Sequence, residues 1–394
     1  MKSFSNITAR FVLPALALAS CANAESGESS APPVDPLDVS KGAVPGYSVI
    51  DMGTFERPWA IEFLPGTTTL AITEKAGVLK LMKTESGEMT TVTGTPEVAY
   101  GGQGGLGDIA FLESEAERDD GRTIYLTWAE AGENEKEYGA VLGKGMLACD
   151  EDEGTCAIEG LETIWRQAPK VKGRGHYSHR IAVSPDERYL FIASGDRQKQ
   201  TPAQDKTNTL GSIVRLNLDG TVADDNPFAQ EGGVTTQIWS YGHRNILGMD
   251  WDTQGRLWEV EHGPAGGDEL NLVERANNYG WPTRSNGDNY NGVDIPDHTE
   301  DDGFTKPAIH WTPVIAPGDM IIYKGDMLDG WNGDALIAGL ASKALVRVKL
   351  DGESAEEVAR YEIGGRLRSV EQGPSGAIWV AEDGEEARLL KITL

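Results

Sequence analysis

The sequence predicts an all-β chain folded as a six-bladed propeller of four-stranded antiparallel blades. Three observations predict it: a strand phrase that recurs six times, companion strands at matching offsets, and a C-terminal strand suited to one near the start. The recurring phrase is a short apolar run, often ending in an acidic or glycine-rich turn. It reads LAITE from Leu70, IYLTW from Ile124, LFIASGD from Leu190, LWEVEHG from Leu257, LIAGL from Leu336 and IWVAEDG from Ile378. Several copies follow an alternating apolar run closed by Gly or Asp (WAIEFLPG, HRIAVSPD, LGMDWDTQG, RSVEQGPSG), which is a strand-hairpin signal. Several precede a third strand, as in GVLKLM, SIVRLNLDG and ALVRVKLDG. The copies start 42 to 79 residues apart. Intervals beyond the roughly 40–50 residues of one blade imply inserted loops, where sites are normally built. The terminal LLKITL at 389–394 is expected to complete a blade with YSVIDM at 47–52, which removes free sheet edges. Helical periodicity of useful length is absent downstream of residue 46, and a pair of β-sandwiches explains the even spread of the repeat less well.

Glycine supplies 48 of 394 residues, in keeping with many tight turns. Lys and Arg number 35 against 62 Asp and Glu, a formal charge of −27. A surface that acidic repels nucleic-acid phosphates and anionic headgroups, so no nucleic-acid partner is expected. No apolar stretch after the N-terminus is long enough to span a bilayer.

Residues 1–24 read as an export address: Lys2 and Arg10 flank a short polar start, followed by the apolar FVLPALALAS. Leu18-Ala19-Ser20-Cys21 has the form of a lipobox, in which Cys21 is lipidated, and this is the favoured reading. Ala22-Asn23-Ala24 is an alternative cleavage site. Either way the protein is expected to be exported, periplasmic, and lipid-anchored if Cys21 is used. ESGESSAPPVDP opens a Ser/Pro/Glu-rich tether over 25–45, before a single domain over 46–394. Beyond Cys21 the chain holds Cys149 and Cys156, with six residues between them in ACDEDEGTC, and an exported protein is expected to join them as a disulfide.

Unusual polar clusters stand in the connecting loops. His176 lies in GRGHYSHRIAVSPD; Arg244 and Asn245 stand directly before an apolar strand in IWSYGHRNILGMDWD. EHGPAGGDELNLVERANNYGWP at 261–282 is rich in carboxylate and carbonyl oxygens, which suit a hard cation such as Ca²⁺, or a merely solvated acidic loop. Arg366 and Arg368 in GGRLRSVEQ point to one side of a strand, to grip an anion or to pair with surface carboxylates.

Seven phrases in order, GGQGGLGDIAF, HYSHRIAVSPD, IWSYGHRNILGM, LWEVEHGPAGGDELN, NNYGWP, VIAPGDMIIYKGD and GGRLRSVEQGPSGAIWVAED, resemble the glucose/sorbosone dehydrogenase family, which includes the soluble aldose sugar dehydrogenases dependent on pyrroloquinoline quinone (PQQ). The likeness runs from about Pro58 to Asp383. It implies oxidation of an aldose at C1 to the lactone, with hydride passing to PQQ, and calcium as second cofactor. His176 matches the general base, a role that suits an imidazole. Arg244 and Asn245 match residues at the quinone carbonyls, where donors stabilise developing charge. Gly263 and Pro264 match backbone carbonyls that hold the cofactor's calcium, and Glu269 and Tyr279 match a calcium site in the same loop. Gln103 matches a glutamine lining the pocket, Tyr290 an aromatic residue beside the cofactor, and Arg366 with Arg368 the pair that binds its carboxylates.

Two departures accompany the likeness. Some members carry a cofactor-binding lysine where GLASKALVRV places Ala341; Lys343, two residues on, is the substitute. Ser178 replaces a small residue of the histidine motif and precedes a second histidine, so His179 is the alternative base. The expected partners are a small aldose and an electron acceptor, with the chain a monomer or homodimer. The rival readings are a calcium-dependent lactonase or esterase propeller, which needs no arginine pair, and a non-catalytic carbohydrate-binding propeller.

Overall fold

In the computed structural model, residues 44–150 and 152–394 are described. The export address, Cys21 and nearly all of the expected tether lie outside them. Strands dominate; three short 3-10 turns, Glu113–Glu115, Thr201–Gln204 and Gly233–Gln237, are the helical elements among the described residues.

The strands form antiparallel four-membered runs, each opening on a strand with no exposed residue. These first strands are Pro58–Phe63, Leu106–Ala110, Ser178–Val183, Ile246–Trp251, Pro317–Ile322 and Leu367–Gln372. The recurring phrases of the sequence form the second strands, for example Thr69–Glu74 and Ile378–Glu382. The first two runs merge into one larger sheet where Met89–Thr93 pairs in parallel with Thr155–Arg166. The last run is completed from the far end of the chain: Ser48–Phe55 pairs with Ala387–Thr393, with Ser48 opposite Thr393 and Ile50 opposite Lys391. The first strands neighbour one another in a closed cycle, the sixth returning to the first.

The core follows this cycle as apolar layers, each between one run and the next. Trp59 and Leu81 meet Ile124 and Val141; Tyr125 and Leu142 meet Ile181 and Ile192; Phe191 and Ile213 meet Ile246 and Leu257. Val260 and Leu270 meet Met320 and Ile337, Leu336 and Leu345 meet Val370 and Val380, and Trp379 and Leu389 meet Ile61 and Ile72. Each fully buried aliphatic side chain is worth about 1.5–3 kcal/mol. Both faces of a run are thus covered, so the second strands are buried along most of their length, with Glu259 and Glu261 included. Val44, at the edge of the expected tether, is buried among Tyr323, Trp331 and Tyr361.

Each first strand also carries a charge toward the axis: Glu62, Asp108, Arg180, Asp250, Asp319 and Glu371 line one cavity of about 500 Å³. Arg180 stacks over Trp59 and donates to Asp108 at 2.8 Å. Cys149 and Cys156 face each other across a hairpin and are joined as a disulfide.

Candidate active site

The loops that lead into the first strands converge on a second cavity of about 200 Å³. Its wall carries three cationic side chains, Lys75, Arg366 and Arg368, with the amides of Gln103 and Asn245. His179 and His262 also line it; burial pushes both imidazoles down to about 3, so they are neutral at physiological pH.

His176 stands beside this cavity in a strained loop. His176, Ser178 and His179 have φ of 47°, 62° and 78°, a region that side chains other than glycine rarely occupy. Two of the predicted site residues hold that backbone in place. The side-chain carbonyl of Gln103 accepts the His176 N–H at 2.6 Å, and that of Asn245 accepts the Ser178 N–H at 3.3 Å. Their NH₂ groups remain to donate into the cavity both residues line.

His176 is 7% exposed, and its Nδ1 lies 2.7 Å from Oδ1 of Asp196. A carboxylate there selects the Nδ1–H tautomer and leaves Nε2 as the basic nitrogen. Burial, aided by the Arg244 charge, pulls the imidazole below its ordinary range despite the opposing pull of Asp196. Burial also works against ionisation of Asp196, but the bond to His176, the Arg244 charge and the Trp281 indole N–H outweigh it and hold the carboxyl low. That indole donates to Oδ2 at 2.8 Å.

Arg244 and Asn245 are positioned through their backbone: both N–H groups donate to one oxygen of Glu261, at 2.6 and 3.0 Å. The guanidinium donates to the His262 carbonyl at 3.0 Å and to the Tyr290 hydroxyl at 3.4 Å, while its buried Nε has no partner among the described residues. Tyr290 is 77% exposed and stands over Arg244 at the rim. Arg366 and Arg368 line the cavity and share Asp383, whose two oxygens they reach at 3.0–3.1 Å. Lys343 is exposed and is not brought to the cavity wall; the lysine that lines it is Lys75.

The acidic loop folds back on itself below Arg244. Asp268 accepts the N–H of Gly263 at 2.9 Å and that of Ala316 at 2.6 Å. A side chain at Gly263 would collide with the carbonyls of Gly266 and Gly267, so close approach requires glycine there. Among the described residues nothing donates to the carbonyls of Gly263 and Pro264. Glu269 is buried, and burial with neighbouring Glu261 and Glu259 pushes its carboxyl well up. Tyr279 has its phenol committed, donating to Leu272 at 2.6 Å and accepting from Glu274, so only its carbonyl remains for a cation. The free carbonyls and the buried, crowded carboxylates suit a hard cation.

The sequence reading missed Lys75, Asp196, Glu259, Glu261, His243 and Trp281. The alternation in LWEVEHG could have placed Glu259 and Glu261 on one strand face, where they flank His243 at 3.4 and 3.7 Å. Asp196 is the last residue of the recurring phrase LFIASGD, but only the folded chain sets it against His176.

Residues 55–391 match the family described as glucose / sorbosone dehydrogenase. The aldose sugar dehydrogenase YliI of Escherichia coli strain K12 is 35% identical over 343 residues, covering 86% of this chain and 90% of that one. The solved apo-form of the soluble aldose sugar dehydrogenase from Escherichia coli superposes with a TM-score of 0.81 at 33% identity, covering 88% of this chain and 99% of that one. The PQQ-bound form of aldose sugar dehydrogenase from Streptomyces coelicolor gives a TM-score of 0.70 at 26% identity, over 90% of this chain and 99% of that one.

Proposed function

The chain belongs to the glucose/sorbosone dehydrogenase family, and from that premise we propose that it is an aldose sugar dehydrogenase that oxidises the anomeric carbon to a lactone with PQQ and calcium. The observation that carries this reading is the pairing of a cavity walled by Lys75, Arg366 and Arg368 with the adjacent His176–Asp196 couple. The cations suit a polycarboxylate, the couple a proton acceptor; a lactonase or a purely sugar-binding domain has no use for both.

PQQ, when bound, supplies the two-electron oxidant. Arg366 and Arg368 would hold its carboxylates, and Gln103, Arg244 and Asn245 would donate to its polar edge. Calcium, held by the carbonyls of Gly263 and Pro264, would add Lewis acidity, with Glu269 and Tyr279 offering oxygens in the same loop. His176 takes the anomeric hydroxyl proton on Nε2 as the carbon gives up hydride. Asp196 then faces an imidazolium and stabilises it. Burial keeps His176 neutral at the start of the cycle, and Tyr290 flanks the entrance.

The architecture we assign is a six-bladed propeller over 46–394, supported by the closed cycle of first strands and by the apolar layer at each junction. We further propose export through residues 1–24 and anchoring through Cys21. The test is reconstitution: purified apo-protein should reduce an artificial dye with aldoses only after PQQ and Ca²⁺ are added. Equal activity with NAD and no PQQ overturns the assignment.

A further inference from the structure

We propose that Lys75 is an anion-binding residue of this cavity, pairing with a carboxylate of the cofactor. The proposal rests on the functional reading above and adds to it a residue that neither the sequence motifs nor the comparisons single out. The argument is one of charge balance. Three cations line the cavity, and among the described residues Asp383 is the one carboxylate that pairs with any of them. It is shared by Arg366 and Arg368, so the wall keeps two positive charges in excess. Among the described residues the Lys75 ammonium makes one hydrogen bond, to the neutral carbonyl of Gly102 at 2.9 Å, and no ion pair. The imidazoles of His179 and His262 are neutral and offset nothing.

The charged groups that act on Lys75 are Arg368 and Arg57, which repel it, and Asp383, which attracts it from beyond ion-pair distance. Burial and the repulsion of Arg368 together hold the ammonium below its ordinary range. A carboxylate arriving in the cavity would offset both by favouring the charged form of Lys75. Lys75 is also fixed in place. Its N–H donates to the Arg57 carbonyl at 3.1 Å, and its own carbonyl accepts the Leu106 N–H at 3.0 Å, at the junction of the first and second runs. A side chain at Gly105 would strike the Lys75 carbonyl, so the close approach of these two segments is built in. Lys343, by contrast, is exposed and carries no such constraint.

The experiment is a fluorescence titration of the purified full-length protein, with Ca²⁺ present, using PQQ and, separately, benzene-1,3,5-tricarboxylate as a redox-inert polycarboxylate. Lys75→Gln should weaken PQQ binding about 10- to 100-fold, the worth of one charge-assisted hydrogen bond, with the weaker tricarboxylate following in the same direction. Lys75→Arg should restore most of the affinity, and Lys349→Gln, at an exposed strand position, should change nothing. The salt dependence of binding should become shallower in Lys75→Gln. The melting temperature of the ligand-free variant should stay within about 2 °C of wild type, since an unpaired cation has been removed. Undiminished affinity in Lys75→Gln, or a loss that follows Lys343→Gln instead, overturns the proposal. Lys75-dependent binding of the tricarboxylate without binding of PQQ would uphold the anion site and remove the quinone reading. Wild-type protein that binds neither removes both.

Discussion

The imidazole Nδ1 of His176 lies 2.7 Å from the Asp196 carboxylate, which leaves Nε2 as the ring's basic nitrogen. His176→Ala should lower kcat by about 10²–10⁴, the usual worth of a positioned base, with PQQ affinity kept. Asp196→Asn should lower kcat by about 10² or more while leaving PQQ affinity within a factor of a few, because the amide cannot support an imidazolium. Stopped-flow reduction of bound PQQ by glucose measures both. Turnover that survives His176→Ala but vanishes in His179→Ala would move the base to His179. Against that outcome, His179 is buried, both its ring nitrogens lack a partner among the described residues, and burial holds its pKa at about 3.

His179 should also mark the acid limb of stability. Its folded-state pKa of about 3 lies below the ordinary 6.5, so it stabilises the native state above 6.5. That contribution is lost as pH falls from 6.5 toward 3, because the unfolded chain takes up the proton first. His179→Phe, which keeps a ring against Tyr177 and Trp59, should flatten urea midpoints measured between pH 6 and 4 by about one proton's worth of slope. An unchanged slope would place the acid sensitivity in other groups.

Asp108 holds Arg180 at 2.8 Å under Trp59, with both side chains buried. Removing one member of a buried pair leaves the other uncompensated, so Asp108→Ala should destabilise the protein by about 3–5 kcal/mol. Asp319, 3.2 Å from the same guanidinium, should soften the effect, and the double variant lacking both carboxylates should cost more than either alone. Equilibrium denaturation resolves the three cases.

Chelation should lower the melting temperature if calcium occupies the acidic loop, since a ligand of the native state alone stabilises it. Glu269→Gln should abolish that response to chelator. Scanning calorimetry with and without EDTA gives the comparison, and a wild-type melting point indifferent to chelator removes calcium from the proposal.

Cys21→Ser should move the protein from the membrane fraction to the soluble exported fraction. A soluble distribution for both forms points to cleavage after Ala24 instead.

Most of the strand order was legible in the sequence because its determinants are local. A short apolar run, a Gly or Asp turn and a second run specify a hairpin wherever they occur, and six copies of the pattern specify six similar units. The pairing of Ser48–Phe55 with the C-terminal strand was legible too, since an unpaired terminal strand needs a partner. The motifs around His176, Arg244 and Arg366 were readable as chemistry because each packs several polar residues into a few positions. What the sequence could not decide is which side chains meet across units. Asp196 is twenty residues from His176, Trp281 another eighty-five from Asp196, and their hydrogen bonds exist only once the cycle closes. The same holds for the two lysines. Lys343 sits nearer the expected motif in sequence, yet it faces solvent, while Lys75 reaches the cavity because Gly105 lets two neighbouring segments approach. Strand formation follows from periodicity along the chain, but the sign and position of charge in a cavity depend on long-range packing that no local pattern records.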